Sequence, residues 1–279
     1  MAVSRHKSGE DRALPPAAAA REPAGLRPGG FRMFLKTLSD LFWPPVCAVC
    51  SRLLPLTDES RGAAGHFCPQ CFQAVEFHPD SLCPVCGRPF YHAASHLCGD
   101  CLASPPPYRQ ARSALVYQGP VGRSISRLKY YGDLTQVKVL ADLARPAANA
   151  LMAENQYQAV IPLPISSARL KERGFNQTEV LAADLFAPWR GRIDSRLLAR
   201  PGNEKVHQAR LSAVARRKAI KGSFALESGR GVEGAVFLIF DDVFTTGATA
   251  SEAAESLMKA GAAAVDVFTL ARTVLAEWR

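Results

Sequence analysis

The most informative segment of the 279-residue chain is Phe237-Leu238-Ile239-Phe240-Asp241-Asp242-Val243-Phe244-Thr245-Thr246-Gly247-Ala248-Thr249. In it, an apolar run ends in two carboxylates, and small hydroxyl residues and a glycine precede a helix-forming segment. This order predicts a strand, an anion-binding loop and a helix, because backbone N–H groups at the start of a helix can bind a phosphate. Since open α/β sheets bind ligands at the carboxyl ends of their strands, Asp241 and Asp242 are candidate ligands for sugar hydroxyls or Mg²⁺. Aspartates also cap helices and form turns, but the complete order in one segment is more specific than either.

Strand and helix signals alternate around this segment. Four short apolar segments predict strands at residues 113–117, 158–163, 235–240 and 265–270. Helical periodicity predicts helices at residues 121–130, 134–152, 178–186 and 249–260, with a basic loop before the third of them. The alternation predicts an α/β fold with a mainly parallel sheet and helices on both faces.

The cysteines form a second pattern, in which all eight fall into Cys-x-x-Cys pairs: Cys47/Cys50, Cys68/Cys71, Cys83/Cys86 and Cys98/Cys101. A tight turn between two such cysteines directs both thiolates at one tetrahedral metal, so the pattern predicts about two structural zinc ions. Disulfides and redox pairs are the competing interpretations. Consecutive pairs would give two zinc ribbons and alternate pairs a cross-brace; we favour the ribbons. Four nearby histidines could substitute as ligands, but eight cysteines are enough for two complete sets, so we expect the histidines to lie outside the ligand sets: His66, His78, His92 and His96.

The charge of the chain is concentrated in one window. The formal net charge is +9, and residues 190–221 contain ten basic and only two acidic side chains. A polyanion partner would suit this window, either the diphosphate of a small ligand or a nucleic-acid backbone. A solvated helix face is the alternative.

The remaining composition bounds the domains. Residues 1–30 are rich in Ala, Pro, Gly and Arg and lack the apolar core of a secretory signal, so we expect a disordered tail and a cytoplasmic protein. Residues 31–45 predict an amphipathic helix and residues 46–104 a double zinc ribbon, with the α/β domain at 108–279. No apolar run is long enough to predict a transmembrane helix.

The 237–249 segment resembles the 5-phosphoribosyl-1-pyrophosphate (PRPP) signature of type I phosphoribosyltransferases. In that family the acidic pair binds the ribose hydroxyls, partly through Mg²⁺, and the following loop surrounds the 5′-phosphate. The resemblance implies PRPP with Mg²⁺ as ligands of Asp241, Asp242, Val243, Phe244, Thr245, Thr246, Gly247, Ala248 and Thr249. Phe244 departs from the pattern, because an aliphatic residue is expected at its position.

Other motifs narrow the resemblance: Leu128-Lys129-Tyr130-Tyr131-Gly132-Asp133, Ile161-Pro162-Leu163-Pro164, Lys171-Glu172-Arg173-Gly174-Phe175-Asn176-Gln177, and His207-Gln208 with Lys221-Gly222-Ser223-Phe224. With four cysteine pairs in front of them, they resemble the ComF/GntX-type, or competence protein F, family. That resemblance implies a type I phosphoribosyltransferase-like fold. It also implies a role in taking up single-stranded DNA, with DNA-uptake proteins as partners.

The segment after Pro164 carries the candidate pyrophosphate ligands Ile165, Ser166, Arg169, Lys171 and Arg173. Arg173 is the best single candidate, because a planar guanidinium matches two phosphate oxygens. Asn176 and Gln177 either bind ligand or cap the next helix. The basic window falls where phosphoribosyltransferases often carry a mobile loop, but Lys218 and Ala219 replace the Arg and Asn expected from the family.

Two hypotheses follow for the function. The first is a phosphoribosyltransferase that transfers ribose-5-phosphate to an unknown nitrogen acceptor and releases pyrophosphate; the sequence names neither a catalytic residue nor the acceptor. The second is an accessory protein that binds PRPP or single-stranded DNA with little or no turnover. Glutamine-dependent chemistry is not expected, because every cysteine belongs to a metal-type pair.

Overall fold

The computed structural model describes residues 42, 44–54, 65–201, 223–227, 231–275 and 278. The predicted tail at 1–30, nearly all of the predicted helix at 31–45, and the part of the basic window from residue 202 to 221 lie outside them. The chain divides into Met1–Trp43 and Pro44–Arg279. Apart from Phe42, every described residue belongs to the second unit, which is the one described below.

A four-stranded parallel sheet forms the centre of this unit. Its strands are β1 (Gln110–Val116), β2 (Ala159–Pro162), β5 (Val236–Phe244) and β6 (Ala264–Arg272), in the order β1-β6-β5-β2. A separate antiparallel pair consists of β3 (Leu198–Ala199) and β4 (Ala225–Leu226). In the sheet, Ile239 of β5 lies between Ile161 and Val267, and all three are fully buried.

The helices are α1 (Pro69–Gln73), α2 (Gly99–Ala103), α3 (Gly119–Tyr131), α4 (Thr135–Glu154), α5 (Ser167–Arg173), α6 (Gln177–Leu185) and α7 (Ala248–Lys259), with a 3₁₀ helix at Ala187–Arg192. Alternate β5 residues enter two separate cores. Leu238 and Phe240 pack with α3, α4 and α6, while Phe237 and Ile239 pack with α7. The parallel sheet with helices on both faces is therefore confirmed.

Two local predictions are wrong. The expected basic loop contains helix α5, which begins after the Ser166 cap and ends at Gly174 with φ +79°. None of its residues is buried, so no apolar periodicity marks it. The central strand does not end at Phe240 but continues to Phe244, because Asp241 and Val243 keep their pairing with β6.

The cysteine-rich segments pack directly on the sheet and its helices. Cys47, Phe67 and Val75 belong to the same core as α3 and α4. The Ala111 N–H at the start of β1 donates to the Val85 carbonyl at 2.7 Å. Both cysteine-rich modules are therefore held against the α/β domain within one compact unit.

A buried ionic network lies at the amino-terminal end of the parallel strands. Asp266 of β6 is fully buried and accepts hydrogen bonds from Arg109 (2.9 and 2.6 Å), Tyr157 (2.7 Å) and Gln110 (3.0 Å). Burial alone would raise the pKa of Asp266, but these donors outweigh it and lower the pKa. The network joins β1, the start of β2 and β6.

We expect Asp266→Asn to lower the free energy of unfolding by about 2–3 kcal/mol, because its amide would place a donor where only acceptors fit. The estimate is below that of a fully buried pair, since Arg109 is 48% exposed. Because the folded pKa is lowered, this stability is present at neutral pH and is lost as pH falls through that pKa. Urea unfolding at several pH values measures it. Glu255→Gln, in an exposed pair with Lys259, is the control and should change stability by less than about 0.5 kcal/mol.

Candidate phosphate site and metal centres

The eight cysteines form two groups, Cys47/Cys50/Cys68/Cys71 and Cys83/Cys86/Cys98/Cys101. Within each group the four sulfurs lie within 4.8 Å of one another, and none of the eight is in a disulfide. The Cys50–Cys68 and Cys86–Cys98 sulfur distances are 3.7 and 3.6 Å. Tetrahedral zinc with Zn–S bonds of about 2.3 Å requires sulfurs about 3.8 Å apart. Both groups therefore fit zinc, and the consecutive pairing is confirmed over the cross-brace.

One cysteine in each group has a lowered pKa, whereas burial and neighbouring cysteines raise the pKa of Cys71 to about 12 and that of Cys86 to about 11. Burial opposes ionisation, but backbone N–H groups of Cys50, Cys68 and Val49 lower the pKa of Cys47 to about 6. Similar donors lower the pKa of Cys83 to about 7. Thiolates are the form that binds zinc.

The nearby histidines take no part in either group. His66 Nε2 lies 3.3 Å from Asp142 of α4, and His96 stacks on Phe90 with ring centroids 3.9 Å apart. Burial lowers the pKa of His78 to about 4, so that its ring is neutral. The groups are complete with cysteine alone, as the sequence indicated.

The acidic pair lies at the carboxyl end of β5. Asp242 is only 4% exposed, and its carboxylate contacts Lys129 Nζ of α3 at 2.7 Å. It also accepts a hydrogen bond from Gln177 Nε2 of α6 at 3.2 Å. Burial lowers the pKa of Lys129, but the Asp242 carboxylate outweighs it and the net shift is upward. Any ligand that binds the Asp242 carboxylate must therefore share this carboxylate with the Lys129 ammonium group.

Asp241 is the more accessible acid. Its carboxylate accepts a hydrogen bond from the Asp242 N–H at 2.8 Å. Burial, followed by the neighbouring Asp242 charge, raises the pKa of Asp241 to about 7, while Lys129 and Arg200 oppose the rise. A cation or hydroxyl donor at this carboxylate would favour its ionised form.

Cations surround the pair in a small cleft of about 100 Å³. Its charged lining consists of Asp241, Asp242, Lys129, Arg169, Arg173 and Arg200. Four cations for two carboxylates give the cleft a positive balance that suits a ligand with several phosphate charges.

Only some of the candidate pyrophosphate ligands line this cleft. Ile165, Arg169 and Arg173 line the cleft, whereas Lys171 is exposed and does not. Ser166 caps α5, where its Oγ accepts a hydrogen bond from the Arg169 N–H at 3.4 Å.

Asn176 and Gln177 have different roles. Asn176 Oδ1 accepts a hydrogen bond from the Thr178 N–H, as a helix cap does. Gln177 instead links Arg173, which donates to its Oε1 at 2.8 Å, to Asp242. Gln177 is thus a bridge between the cationic helix α5 and the acidic pair.

Two cleft residues, Lys129 and Arg200, were not among the residues predicted for the site. Lys129 belongs to the Leu128–Asp133 motif, which could have marked it. Arg200 belongs to the basic window, and its guanidinium lies 5.5 Å from the Phe224 ring centroid. Burial and Arg169 lower the pKa of Arg200. No local pattern separates Arg200 from the other arginines of that window.

The loop after β5 is short. Thr245, Thr246 and Gly247 connect β5 to α7, whose first residues are Ala248 and Thr249. Gly247 caps α7 with φ +74°, and a Cβ there would lie 2.6 Å from the Phe244 ring. Glycine is therefore required for two reasons: the backbone has a positive φ, and a side chain would overlap the Phe244 ring.

Phe244 is explained by the same contact. Its ring is buried beneath Gly247, and its edge meets Tyr108 at a centroid distance of 6.5 Å. The Arg272 guanidinium lies 4.5 Å from its centroid. The large side chain fills a space below the loop and does not enter the acidic cleft.

The Asp241 pKa gives a prediction that needs no ligand. Because the folded pKa is raised to about 7 from an ordinary value of about 4, the stability of wild type relative to Asp241→Asn should fall as pH rises from about 4 to about 7 and should be constant above that. Denaturant unfolding of both proteins between about pH 4 and about pH 8 measures the difference. A stability difference that is constant with pH would contradict the raised pKa.

The fold and the cysteine groups define the class of the chain, an α/β protein whose parallel sheet carries a double zinc ribbon. Residues 38–102 match the family model described as "Double zinc ribbon domain". The part of the chain that the structure describes contains no helix long and apolar enough to cross a membrane.

Curated relatives cover most of the chain. "DNA utilization protein YhgH" of Salmonella typhimurium is 36% identical over 238 residues, which are 83% of this chain and 98% of that protein. The Escherichia coli K12 protein of the same name is 33% identical over 240 residues, again 83% and 98%. "Competence protein ComFC" of Bacillus subtilis is 29% identical over 213 residues, 74% and 84% of the two chains. The chain belongs to the competence protein F (ComF) family, as its motifs predicted.

Proposed function

We propose that the cleft binds PRPP together with Mg²⁺. One observation carries the proposal: the acidic pair and four cations line one cleft at the carboxyl end of β5, and Asp241 also lines the adjoining cavity of the glycine-capped loop before α7. That combination suits a ligand with ribose hydroxyls, one phosphate and one diphosphate.

Each part of the ligand has a matching group. Asp241 and Asp242 would accept hydrogen bonds from the ribose hydroxyls and share Mg²⁺, which prefers carboxylate and phosphate oxygens. The turn at 245–247 and the first N–H groups of α7 would hold the 5′-phosphate. Arg169 and Arg173 would pair with the diphosphate, and Gln177 fixes Arg173 relative to Asp242.

Turnover would be pentosyl transfer to nitrogen. The bond from C1 of the ribose to the pyrophosphate oxygen breaks with its electron pair, and an acceptor nitrogen forms the new bond and loses a proton to solvent. Arg169 and Arg173 would stabilise the charge on the leaving pyrophosphate. Mg²⁺, when bound, supplies further neutralisation of that charge.

Calorimetric titration with PRPP and Mg²⁺ tests the binding step. We expect Asp241→Asn and Asp242→Asn each to weaken binding at least about tenfold, because each removes a charged acceptor. Glu255→Gln, on the exposed face of α7, is the control and should bind as wild type does. If wild type does not bind, the proposal fails; if it binds but releases no pyrophosphate with any of a panel of nitrogen acceptors, the accessory role is favoured over the enzyme.

A second candidate function is single-stranded DNA binding during DNA utilization or uptake, the roles for which the relatives are named. Tyr130 and Tyr131 at the end of α3 are 73% and 83% exposed, and the Arg173 guanidinium lies 5.7 Å from the Tyr130 centroid. Exposed rings beside cations suit stacking of unpaired bases.

Oligonucleotide titration tests this candidate. We expect Tyr130→Ala with Tyr131→Ala to weaken binding of a short single-stranded DNA about tenfold or more, since stacking on an aromatic ring contributes about 1–3 kcal/mol per base. Neutralising Arg216, Arg217, Lys218 and Lys221 should reduce the salt dependence. Tyr91→Ala is the aromatic control. Unchanged affinity in both sets of variants would remove DNA binding from the proposal.

A further inference from the structure

Arg272 is a buried cation at the end of β6, between the second cysteine group and residues 245–247, the loop after β5 that is called the phosphate loop below. Its side chain is 4% exposed, and its Nη1 donates to the Cys86 carbonyl at 2.6 Å. Cys86 is itself a member of the second group. A buried guanidinium therefore holds the backbone of a metal-binding turn.

The other side of Arg272 faces the loop. Its guanidinium lies 4.5 Å from the centroid of Phe244, which pairs with Arg272 across β5 and β6. Phe244 in turn supports Gly247, where even a methyl group would overlap the ring. The Cys86 carbonyl, Arg272, Phe244 and Gly247 thus form one continuous set of contacts.

We propose that Arg272 is a positioning residue that couples the metal state of the second cysteine group to the conformation of the phosphate loop. Loss of zinc would release the Cys86 turn, whose carbonyl holds the guanidinium. Phe244 would then lose its stacked neighbour, and residues 245–247 would lose their support. The coupling needs no contact between zinc and ligand. Its effect on ligand affinity rests on the proposed function, whereas its effect on the free loop does not.

The first cysteine group offers a matched control. There the Ala48 carbonyl, between Cys47 and Cys50, accepts hydrogen bonds from Arg127 at 3.0 Å and from Gln136 at 3.2 Å. Arg127 therefore plays the same local part as Arg272. It belongs to α3, and its carboxylate partner is Asp133 rather than any residue of the phosphate loop.

Hydrogen exchange of the loop amides, followed by mass spectrometry in the ligand-free, zinc-loaded protein, tests the coupling. We expect Arg272→Met to keep two zinc ions per chain and to speed exchange at 244–249 about tenfold or more. Arg272→Lys should fall between wild type and Arg272→Met, because it keeps the charge but not the planar stacking. Arg127→Met should leave loop exchange unchanged. Wild-type loop exchange in Arg272→Met, with zinc retained, would overturn the proposal.

A second comparison covers the case in which Arg272→Met loses zinc or does not fold. Cys101→Ser in the second group is compared with Cys50→Ser in the first, each in the full chain. The coupling predicts faster loop exchange in Cys101→Ser alone. Equal effects of the two variants, or none in Cys101→Ser, would overturn it.

The ligand titration separates this proposal from the proposed function. If the loop responds to Arg272 but wild type binds no PRPP, the coupling stands and the ligand assignment fails. If wild type binds PRPP and the loop does not respond, the assignment stands and the coupling fails. With both in place, Arg272→Met should weaken PRPP binding while Arg127→Met binds with the affinity of wild type.

Discussion

Replacing Cys98 with serine is expected to lower the zinc content from about two ions per chain to about one and to unfold the second cysteine group. The residues of that group form a core of their own, consisting of the four cysteines with Val85 and Phe90 packed against them. So small an apolar cluster cannot replace metal binding, which contributes about 10 kcal/mol or more in comparable zinc modules. Elemental analysis and zinc-release titration measure the change.

The control for this prediction is His96→Ala. His96 lies two residues before Cys98 but stacks on Phe90 and hydrogen bonds to the Ala94 carbonyl. The His96→Ala protein should therefore keep two zinc ions per chain. Loss of zinc in His96→Ala would show that a histidine completes the site. Two ions retained in Cys98→Ser would show that the four cysteines do not form one centre.

Gly247→Ala is expected to weaken PRPP binding by about 2–4 kcal/mol, which is more than tenfold in affinity. Alanine is disfavoured at φ +74°, and its Cβ would lie 2.6 Å from the Phe244 ring. The loop would have to move away from Phe244, and its N–H groups would no longer converge on one phosphate. Calorimetry with PRPP and Mg²⁺ measures the loss.

Gly234→Ala is the control, because it introduces the same backbone strain at a glycine with positive φ but no contact with the Phe244 ring. Gly234 has φ +71°, and a Cβ at this position would meet no atom within 4 Å. The residue precedes β5, at the end of the strand away from the cleft. Its replacement should cost about 1 kcal/mol of stability and leave ligand affinity unchanged. Wild-type affinity in Gly247→Ala would show that the loop does not hold the phosphate.

Much of the fold could be predicted from local signals. The β5 and β6 strands are apolar runs buried on both faces, which is typical of a parallel sheet. Helix α5 could not be predicted in this way, because it buries no residue and is fixed by its Ser166 cap and Gly174. The strand end was placed too early because Asp241 and Asp242 resemble a turn, while the ladder to β6 continues to Phe244.

The candidate site, like the fold, was only partly predictable from local sequence. Sequence could identify the acidic pair, the loop glycine and Arg173, since each belongs to a contiguous motif. It could not show that Lys129 neutralises Asp242, that Gln177 joins Asp242 to Arg173, or that Arg200 enters the cleft. Those pairings join separate elements of the fold, and apolar periodicity says which face is buried but not what it meets.

The sequence by itself determined the parts that local geometry controls: four cysteine pairs that form two groups fit for zinc, and a strand, loop and helix with an acidic pair near the end of the strand. Two residues between cysteines, or one glycine before a helix, fix such geometry within a few peptide units. Only the tertiary structure decided how these parts are connected. Arg272 and Cys86 are 186 residues apart, and their contact exists because β6 ends beside the second cysteine group. A buried charge is costly unless another group pairs or hydrogen bonds with it, and the packing of the whole unit decides which group lies close enough to do so.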